Sequence, residues 1–286
     1  MHISAAIAFG ASFDGNLLTA NSLHGNEINF DKASVGATVN AILLASSAKG
    51  ESVIRGCAVE PHIDLLIDFL NSCGADIKRF DRELRISGRE LHGGNIRINS
   101  DMIEAGSYLA LSAMLGNGIK VACCPTDEMT SVFAALNDLG ANIECDSNGR
   151  LSASIEKYKP ISLVAAPYPD FPTDLQPIFA PLMALFGGGS ITDTVWEGRF
   201  GYLNSLSDFG VQSSVDKNKA HIHRSRLHNG ITWATDLRGG MAALMCALCA
   251  EGRSEILSAE IILRGYENLV EKLCSVGADI RIDYYN

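Results

Sequence analysis

The chain has 286 residues, of which 47% are hydrophobic and 20% charged, with a formal net charge of −10. This length and balance suit one large or two medium globular domains with ample core. The acidity, with no basic stripe, excludes a non-specific nucleic-acid binder and means that any anionic substrate needs locally focused Arg and Lys.

In chain order, the start reads Met-His-Ile-Ser-Ala-Ala-Ile-Ala-Phe-Gly. It has neither a cationic start nor a long apolar centre, so it is not read as a signal peptide. Residues 2–26 hold a short helix and a hairpin turning at Asp14-Gly15-Asn16. From there one grammar repeats. A strand is predicted at Glu27–Asp31, Asn95–Asn99, Ser162–Ala166 and Ile231–Ala234. A helix of small residues follows over Val35–Ser47, Ile103–Leu115, Leu175–Phe186 and Arg238–Ala250. After a Gly-containing turn comes a second strand, at Ser52–Arg55, Ile119–Ala122, Ser190–Val195 and Glu255–Ser258. An amphipathic helix is next, with Ile63, Leu66, Ile67 and Leu70 on one face in one unit and Tyr266, Leu269, Val270 and Leu273 in another. Closing strands form hairpins such as Ile77–Phe80 with Glu83–Ser87. The last unit stops at Ile280–Tyr284 without its closing strand.

Each second helix ends in a recurrent glycine, at Gly10, Gly74, Gly140, Gly210 and Gly277, spaced 64, 66, 70 and 67 residues apart. A near-fixed period is the mark of a repeated structural unit, and a glycine there suits a left-handed helix end. The first helices are apolar or small nearly all round, as in Ala105–Met114. Such helices must be enclosed, so helices inside and sheets outside are predicted: an inside-out α/β barrel of repeated β-α-β-α-β-β units. The ragged ends predict a truncated protein, a split protein or an obligate partner, because unpaired edges and bare helix faces are unfavourable.

The buried helices start at matched polar residues: Lys32-Ala33-Ser34, Asp101-Met102-Ile103-Glu104, Pro172-Thr173-Asp174 and Thr235-Asp236-Leu237-Arg238. Ser34, Thr173 and Thr235 read equally as plain N-caps or as parts of a shared anion site at several helix N-termini. The eight cysteines include a C-x-x-C at Cys246 and Cys249 inside an apolar run. They read as buried, reduced thiols rather than metal ligands or a redox pair, which predicts a reducing compartment, the cytoplasm. His221 and His223 alternate on a predicted strand and read as solvent-facing. No apolar run reaches membrane-spanning length.

Three stretches carry a resemblance: Asp31-Lys32-Ala33-Ser34-Val35-Gly36-Ala37-Thr38, Ala166-Pro167-Tyr168-Pro169-Asp170-Phe171-Pro172-Thr173-Asp174-Leu175-Gln176, and Ala234-Thr235-Asp236-Leu237-Arg238 with Leu263-Arg264-Gly265-Tyr266-Glu267. Glu60-Pro61 and Val195-Trp196-Glu197-Gly198-Arg199-Phe200 fit as well. Together they resemble the UDP-N-acetylglucosamine enolpyruvyl transferase family, and the related shikimate-pathway transferase shares the repeat architecture without the Pro-rich string. The resemblance implies two inside-out domains of three units each, with residues 1–98 a remnant of one and 99–286 most of the other. It implies transfer of the enolpyruvyl group of phosphoenolpyruvate to the 3-hydroxyl of UDP-N-acetylglucosamine, in peptidoglycan precursor synthesis, with no cofactor and no metal.

By the same resemblance Asp174 is the general base, where its residue type alone also fits an acid balancing a helix dipole. Arg238 and Arg264 hold the phosphate and carboxylate of phosphoenolpyruvate, where surface solvation is the plainer alternative. Lys32, Ala33, Ser34, Val35 and Gly36 match the nucleotide-binding stretch, Val195 a sugar contact, and Glu60 and Arg199 supporting positions. The sequence also departs from the family. The mobile loop with a catalytic Cys would fall just ahead of Met1, and none of the eight cysteines takes its place. Met102 stands for an Arg. Val59 and His62 flank Glu60 where Arg and Glu are usual, and Ile261 and Leu263 precede Arg264 where His and Asp are usual. Three readings follow: a transferase, completed by an N-terminal polypeptide in cis or in trans or covered at its edges as a homo-oligomer; a UDP-sugar-binding homologue without chemistry, or a structural subunit; and a transferase acting on another uridine compound.

Overall fold

The computed structural model describes residues 1–116 and 118–284. They form two compact units, Met1–Asn99 and Ser100–Asn286. In the first unit, helix α1 (His2–Ala8) leads to a hairpin of β1 (Ser12–Phe13) and β2 (Leu18–Thr19). Then come β3 (Glu27–Asn29), α2 (Val35–Ser47), β4 (Glu51–Arg55), α3 (Pro61–Ser72), β5 (Asp76–Phe80) and β6 (Glu83–Ser87). The second unit runs α4 (Met102–Leu115), α5 (Thr130–Leu139), β7 (Ala141–Cys145), β8 (Leu151–Ile155), β9 (Ile161–Ala165), α6 (Gln176–Leu185) and β10 (Gly189–Asp193). It continues with α7 (Tyr202–Ser207), β11 (Gln212–Asp216), β12 (Lys219–His223), β13 (Ile231–Trp233), α8 (Leu237–Cys249), β14 (Glu255–Leu257) and α9 (Leu269–Ser275).

The repeat is literal in the sheets. The first unit's sheet has the order β3-β4-β6-β5 and the second unit's largest sheet β9-β10-β12-β11, so strands one, two, four and three of a module lie side by side in both. In each, the first two strands are parallel and the closing hairpin antiparallel. The parallel pair β13-β14 is the front half of a further module, and the antiparallel pair β7-β8 the back half of another. In the second unit α4, α6 and α8 pack on one another, and the sheets remain separate rather than closing on each other among the described residues. Almost every residue of α6 is buried, and α4 and α8 are buried over most of their length. Small residues at Ala110, Ala113, Ala180, Ala184, Ala242 and Ala243, all in the core, let the axes approach. The enclosed-helix expectation holds there. In the first unit α2 is only half enclosed and exposes Leu43.

The recurrent glycines have one physical cause. All five take φ between +89° and +110°, a region that side chains with a Cβ rarely enter. At four of them the next residue donates its backbone N–H back across the helix end, Ala11 to Ala6, Ala75 to Leu70, Val211 to Leu206 and Ala278 to Leu273. This is the Schellman closure, which satisfies a carbonyl that the helix leaves unpaired.

Three strand expectations fail. Residues 95–99 and 280–284 form no strand, and around Val121 only one isolated bridge, to Leu151, replaces the strand expected over 119–122. These segments are short, and their predicted apolar alternation did not outweigh the lack of a paired neighbour. His221 and His223 lie on β12 and are exposed, as expected. No helix among the described residues is long and apolar enough to cross a membrane.

The eight cysteines are all free. Burial pushes the Cys57 thiol up to about 11 and Cys249 to about 12, and drives Cys246 well above the ordinary thiol range. Only the thiolate is a nucleophile, and at pH 8 Cys57 is about one-thousandth ionised. Brief alkylation of the native chain at pH 8, read by peptide mass spectrometry, should label the exposed Cys123, Cys145 and Cys274. Cys57, Cys246 and Cys249 should stay unlabelled until denaturant is added. Early labelling of Cys246 would contradict the packing of α8.

Candidate active site

The second unit gathers a polar chain at the start of α6. Thr173 and Asp174 sit in the loop between β9 and α6, just ahead of the helix. That helix begins without a side-chain cap, so Thr173 is not the cap that its type suggests. Its hydroxyl donates to Asp193 instead, at the end of β10. Asp193 is 1% exposed, and its other carboxylate oxygen accepts from the backbone N–H groups of Val195 (2.8 Å) and Trp196 (2.9 Å).

Arg199 bridges the chain to Asp174. Its Nη1 donates to the Thr173 hydroxyl (2.9 Å) and its Nη2 to Asp174 Oδ1 (2.7 Å). The Arg199 carbonyl accepts from the buried side chain of Gln176 (2.9 Å), and Gln176 in turn accepts from the Tyr202 hydroxyl (2.7 Å). Burial first, and the nearby Asp193 charge second, hold the Tyr202 hydroxyl well above its ordinary pKa, so it stays a donor.

Arg238 reaches Asp174 from α8, with Nε 3.4 Å from Oδ2. The cap of α8 is Asp236, which accepts from the N–H groups of Arg238 and Gly239. Thr235 therefore does not cap. The Arg238 guanidinium lies over the Tyr266 ring at 5.4 Å, and Tyr266 is tied to Ser107 of α4 by a 2.8 Å hydroxyl pair. Burial raises the Tyr266 pKa. Nη1 of Arg238 is buried and has no hydrogen-bond partner among the described residues. A buried guanidinium N–H without an acceptor is costly, and an oxyanion offers the strong, charge-assisted relief.

Side-chain exposure is 41% for Asp174, 28% for Arg199 and 13% for Arg238. The carboxylate at the centre of the cluster is the most open of the three groups, which leaves it within reach of a ligand. Asp174 and Arg199, with Trp196 and Glu197, line an open cleft of about 470 Å³. Val195 stands at the same turn, partly exposed.

Arg264 ends a short 3₁₀ helix, Ala259–Arg264, and is exposed with no ion pair among the described residues. It is not in hydrogen-bond contact with Asp174, but the next residue abuts Arg238: a Cβ at Gly265 would lie 3.4 Å from Arg238 Nη1. Of the sequence's departures from the family pattern, Met102 and Ile261 pack against the apolar core, whereas Leu263 is exposed.

The remaining candidates lie in the first unit. Ser34 caps α2, accepting from the N–H of Ala37 (3.3 Å). Lys32 is exposed and makes no ion pair among the described residues. Ala33 and Val35 are partly covered, and Gly36 is exposed, with the His2 ring 2.8 Å from where its Cβ would stand. Glu60 occupies the cap position of α3 without capping it, and one of its carboxylate oxygens is buried without a partner. Sequence reasoning does not single out Asp193, Gln176 or Tyr202. The one available signal for Asp193 is an Asp inside a strand predicted over Ser190–Val195, two residues ahead of a candidate sugar contact.

A modular α/β protein with enclosed helices, whose second unit sets the Asp174 carboxylate and the Arg199 guanidinium on an open cleft with Arg238 meeting the same carboxylate from α8, is suited to polar group transfer on an anionic substrate. The chain belongs to the EPSP synthase (3-phosphoshikimate 1-carboxyvinyltransferase) family, whose pattern it matches over residues 8–273, and within it is related to the UDP-N-acetylglucosamine 1-carboxyvinyltransferases. It is 38% identical over 292 aligned residues to UDP-N-acetylglucosamine 1-carboxyvinyltransferase 1 of Streptococcus agalactiae serotype Ia, covering 99% of this chain and 70% of the relative. The enzyme of that name from Halothermothrix orenii is 36% identical, covering 98% and 69%. Among solved structures, the enolpyruvyl transferase NikO from Streptomyces tendae superposes with a TM-score of 0.88 at 25% identity, covering 98% of this chain and 71% of that one. EPSP synthase from Acinetobacter baumannii, at 17% identity and a TM-score of 0.73, shares the fold.

Proposed function

We propose that the chain transfers the enolpyruvyl group of phosphoenolpyruvate to the 3-hydroxyl of UDP-N-acetylglucosamine. The observation that carries this is the buried, unpartnered Nη1 of Arg238 beside the Asp174 carboxylate. An anion acceptor and a proton acceptor are wanted side by side in this chemistry. In the addition step the sugar oxygen bonds to C2 of phosphoenolpyruvate, its proton leaves to a base, and C3 takes a proton. In the elimination step the tetrahedral ketal expels phosphate, C3 gives up a proton, and the enolpyruvyl ether remains. Asp174 is the base at the hydroxyl. Arg238 and Arg264 hold the phosphate and carboxylate, a task for which the guanidinium fork is suited. Arg199 fixes the Asp174 carboxylate, and Val195 meets the sugar.

In the first unit, Lys32, Ala33, Ser34, Val35 and Gly36 are assigned to the uridine diphosphate. The capped start of α2 and the unpaired Lys32 support this assignment, and Glu60 supports the same region. The family's cysteine loop has no counterpart among these residues, so the reading includes a polypeptide that supplies it, in cis or in trans, ahead of homo-oligomer formation as the cover for exposed edges. The free thiols agree with a reducing cytoplasm.

The test is product analysis. The purified chain is incubated with UDP-N-acetylglucosamine and phosphoenolpyruvate, with and without the family's N-terminal segment, and the sugar nucleotide is weighed by mass spectrometry. A new species heavier by one enolpyruvyl group is expected. Unchanged sugar nucleotide in both arms, with UDP-sugar binding retained, would replace the transferase reading by a binding homologue. Arg264→Ala should abolish phosphoenolpyruvate binding in a calorimetric titration while leaving the thermal midpoint in place. Undiminished binding would remove Arg264 from the site.

A further inference from the structure

Asp193 is buried at the C-terminal end of β10, opposite Ala165 of the parallel strand β9. Its three donors come from two directions. The N–H groups of Val195 and Trp196 close the turn that leads into the cleft, and the Thr173 hydroxyl comes from the loop before α6. We propose that Asp193 is a positioning residue that sets the polarity of the chain Thr173–Arg199–Asp174 and, by the same carboxylate, the place of the Val195 backbone. The proposal rests on the transferase reading for its turnover readout only.

Hydrogen-bond direction runs one way along this chain. An ionised carboxylate only accepts, so Thr173 must spend its single proton on Asp193. The Thr173 oxygen is then left with lone pairs alone toward Arg199, whose Nη1 only donates. That engagement turns the planar guanidinium so that its second nitrogen meets Asp174 at 2.7 Å. The Arg199–Asp174 pair is partly open to solvent, 28% and 41% exposed, and a pair so placed is held weakly in one geometry unless its partners are fixed from behind. The buried end of the chain supplies that constraint, since a buried carboxylate with three donors is costly to disturb.

Asp193→Asn separates relay from turn. The Asn carbonyl can still accept from Val195 and Trp196, while its NH₂ must face Thr173 as a donor. Thr173 then has two donors to accept from and no acceptor for its own proton, so the orientation that Asp193 imposes on its lone pair toward Arg199 is lost. Thr173→Val cuts the same chain by removing one of the three donors to Asp193 while leaving the Asp193 carboxylate and its two backbone donors in place, and Thr173→Ser keeps it. We expect Asp193→Asn and Thr173→Val each to lower kcat about tenfold or more, with KM for the sugar nucleotide changed less than about threefold. The double variant should be no worse than the poorer single one, as for members of one coupled chain. Thr173→Ser should recover most of the Thr173→Val loss. The second readout needs no turnover. In ¹⁵N spectra of the full chain, a guanidinium held at both Nη atoms rotates slowly and gives resolved Arg199 Nη signals. These should merge in Asp193→Asn and Thr173→Val and stay resolved in Thr173→Ser.

Wild-type kcat in Asp193→Asn together with unchanged Arg199 signals overturns the proposal. Merged signals in a chain whose wild type shows no turnover support the relay and count against the transferase reading instead. If Asp193→Asn does not fold, the Thr173→Val and Thr173→Ser pair decides the question in the same way, with equal thermal midpoints as the control.

Discussion

Asp174→Asn is expected to cut turnover by about 10³-fold, within the range a positioned general base supplies, while phosphate binds more tightly than in the wild type. The two effects have one origin. The Asp174 carboxylate accepts from both Arg199 and Arg238 and so offsets the two guanidinium groups that meet it among the described residues. The amide is nearly isosteric and leaves the cleft intact, but it cannot take a proton from a hydroxyl. With the negative charge gone, Arg199 and Arg238 face an incoming oxyanion uncompensated. At an effective dielectric suited to a surface cleft, a charge a few ångströms away contributes on the order of 1 kcal/mol or more, a several-fold gain in affinity. Steady-state turnover and phosphate titration on the same preparation check both halves. Turnover within threefold of wild type would remove Asp174 as the proton acceptor. A fall in turnover with weaker phosphate binding would mean the substitution had collapsed the site.

The second large effect concerns the scaffold. Gly140→Ala is expected to destabilise the second unit by about 3–5 kcal/mol, the sum of left-handed backbone strain and overpacking against main chain. Gly140 has φ +110°, and a Cβ there would stand 2.0 Å from the Lys157 carbonyl oxygen, which belongs to backbone and cannot swing aside. Gly277 is the internal comparison. Its φ is +99°, but nothing among the described residues lies within 4 Å of its Cβ position, so Gly277→Ala should cost only about 1–2 kcal/mol of conformational strain. Urea unfolding of the two variants, followed by fluorescence, gives the difference. Equal costs would mean that helix-end conformation alone, without close strand approach, explains the recurrent glycine.

Those glycines also show what a sequence states openly. A positive φ and a close backbone approach leave one acceptable residue, so the requirement is written at Gly10, Gly140 and Gly210, and the positive φ alone at Gly74 and Gly277. Helix extents were legible for a similar reason. The small-residue runs and their polar starts predict Val35–Ser47, and α2 has those bounds. The other three first helices differ by one residue at each affected end. Strands at 95–99 and around Val121 were not legible, because a strand is decided by its neighbour and not by its own alternation.

The site was legible in part. Asp174, Arg199 and Arg238 came from a resemblance in motif, and the structure brings these three together. The caps misled at Thr173 and Thr235, because a hydroxyl beside a helix start satisfies the capping pattern whether it faces the helix or a carboxylate 20 residues away. Asp193 was invisible for the complementary reason: an Asp toward the end of a strand is ordinary in sequence, and only burial with three donors sets it apart.

The central claim is that this cleft joins two substrates and releases phosphate. The most direct measurement is continuous phosphate detection with the chain and the family's N-terminal segment, supplying UDP-N-acetylglucosamine and phosphoenolpyruvate together and each alone. The account predicts phosphate only when both are present, lost in Asp174→Asn. Phosphate released from phosphoenolpyruvate alone at the same rate, or none with both substrates bound, would contradict it.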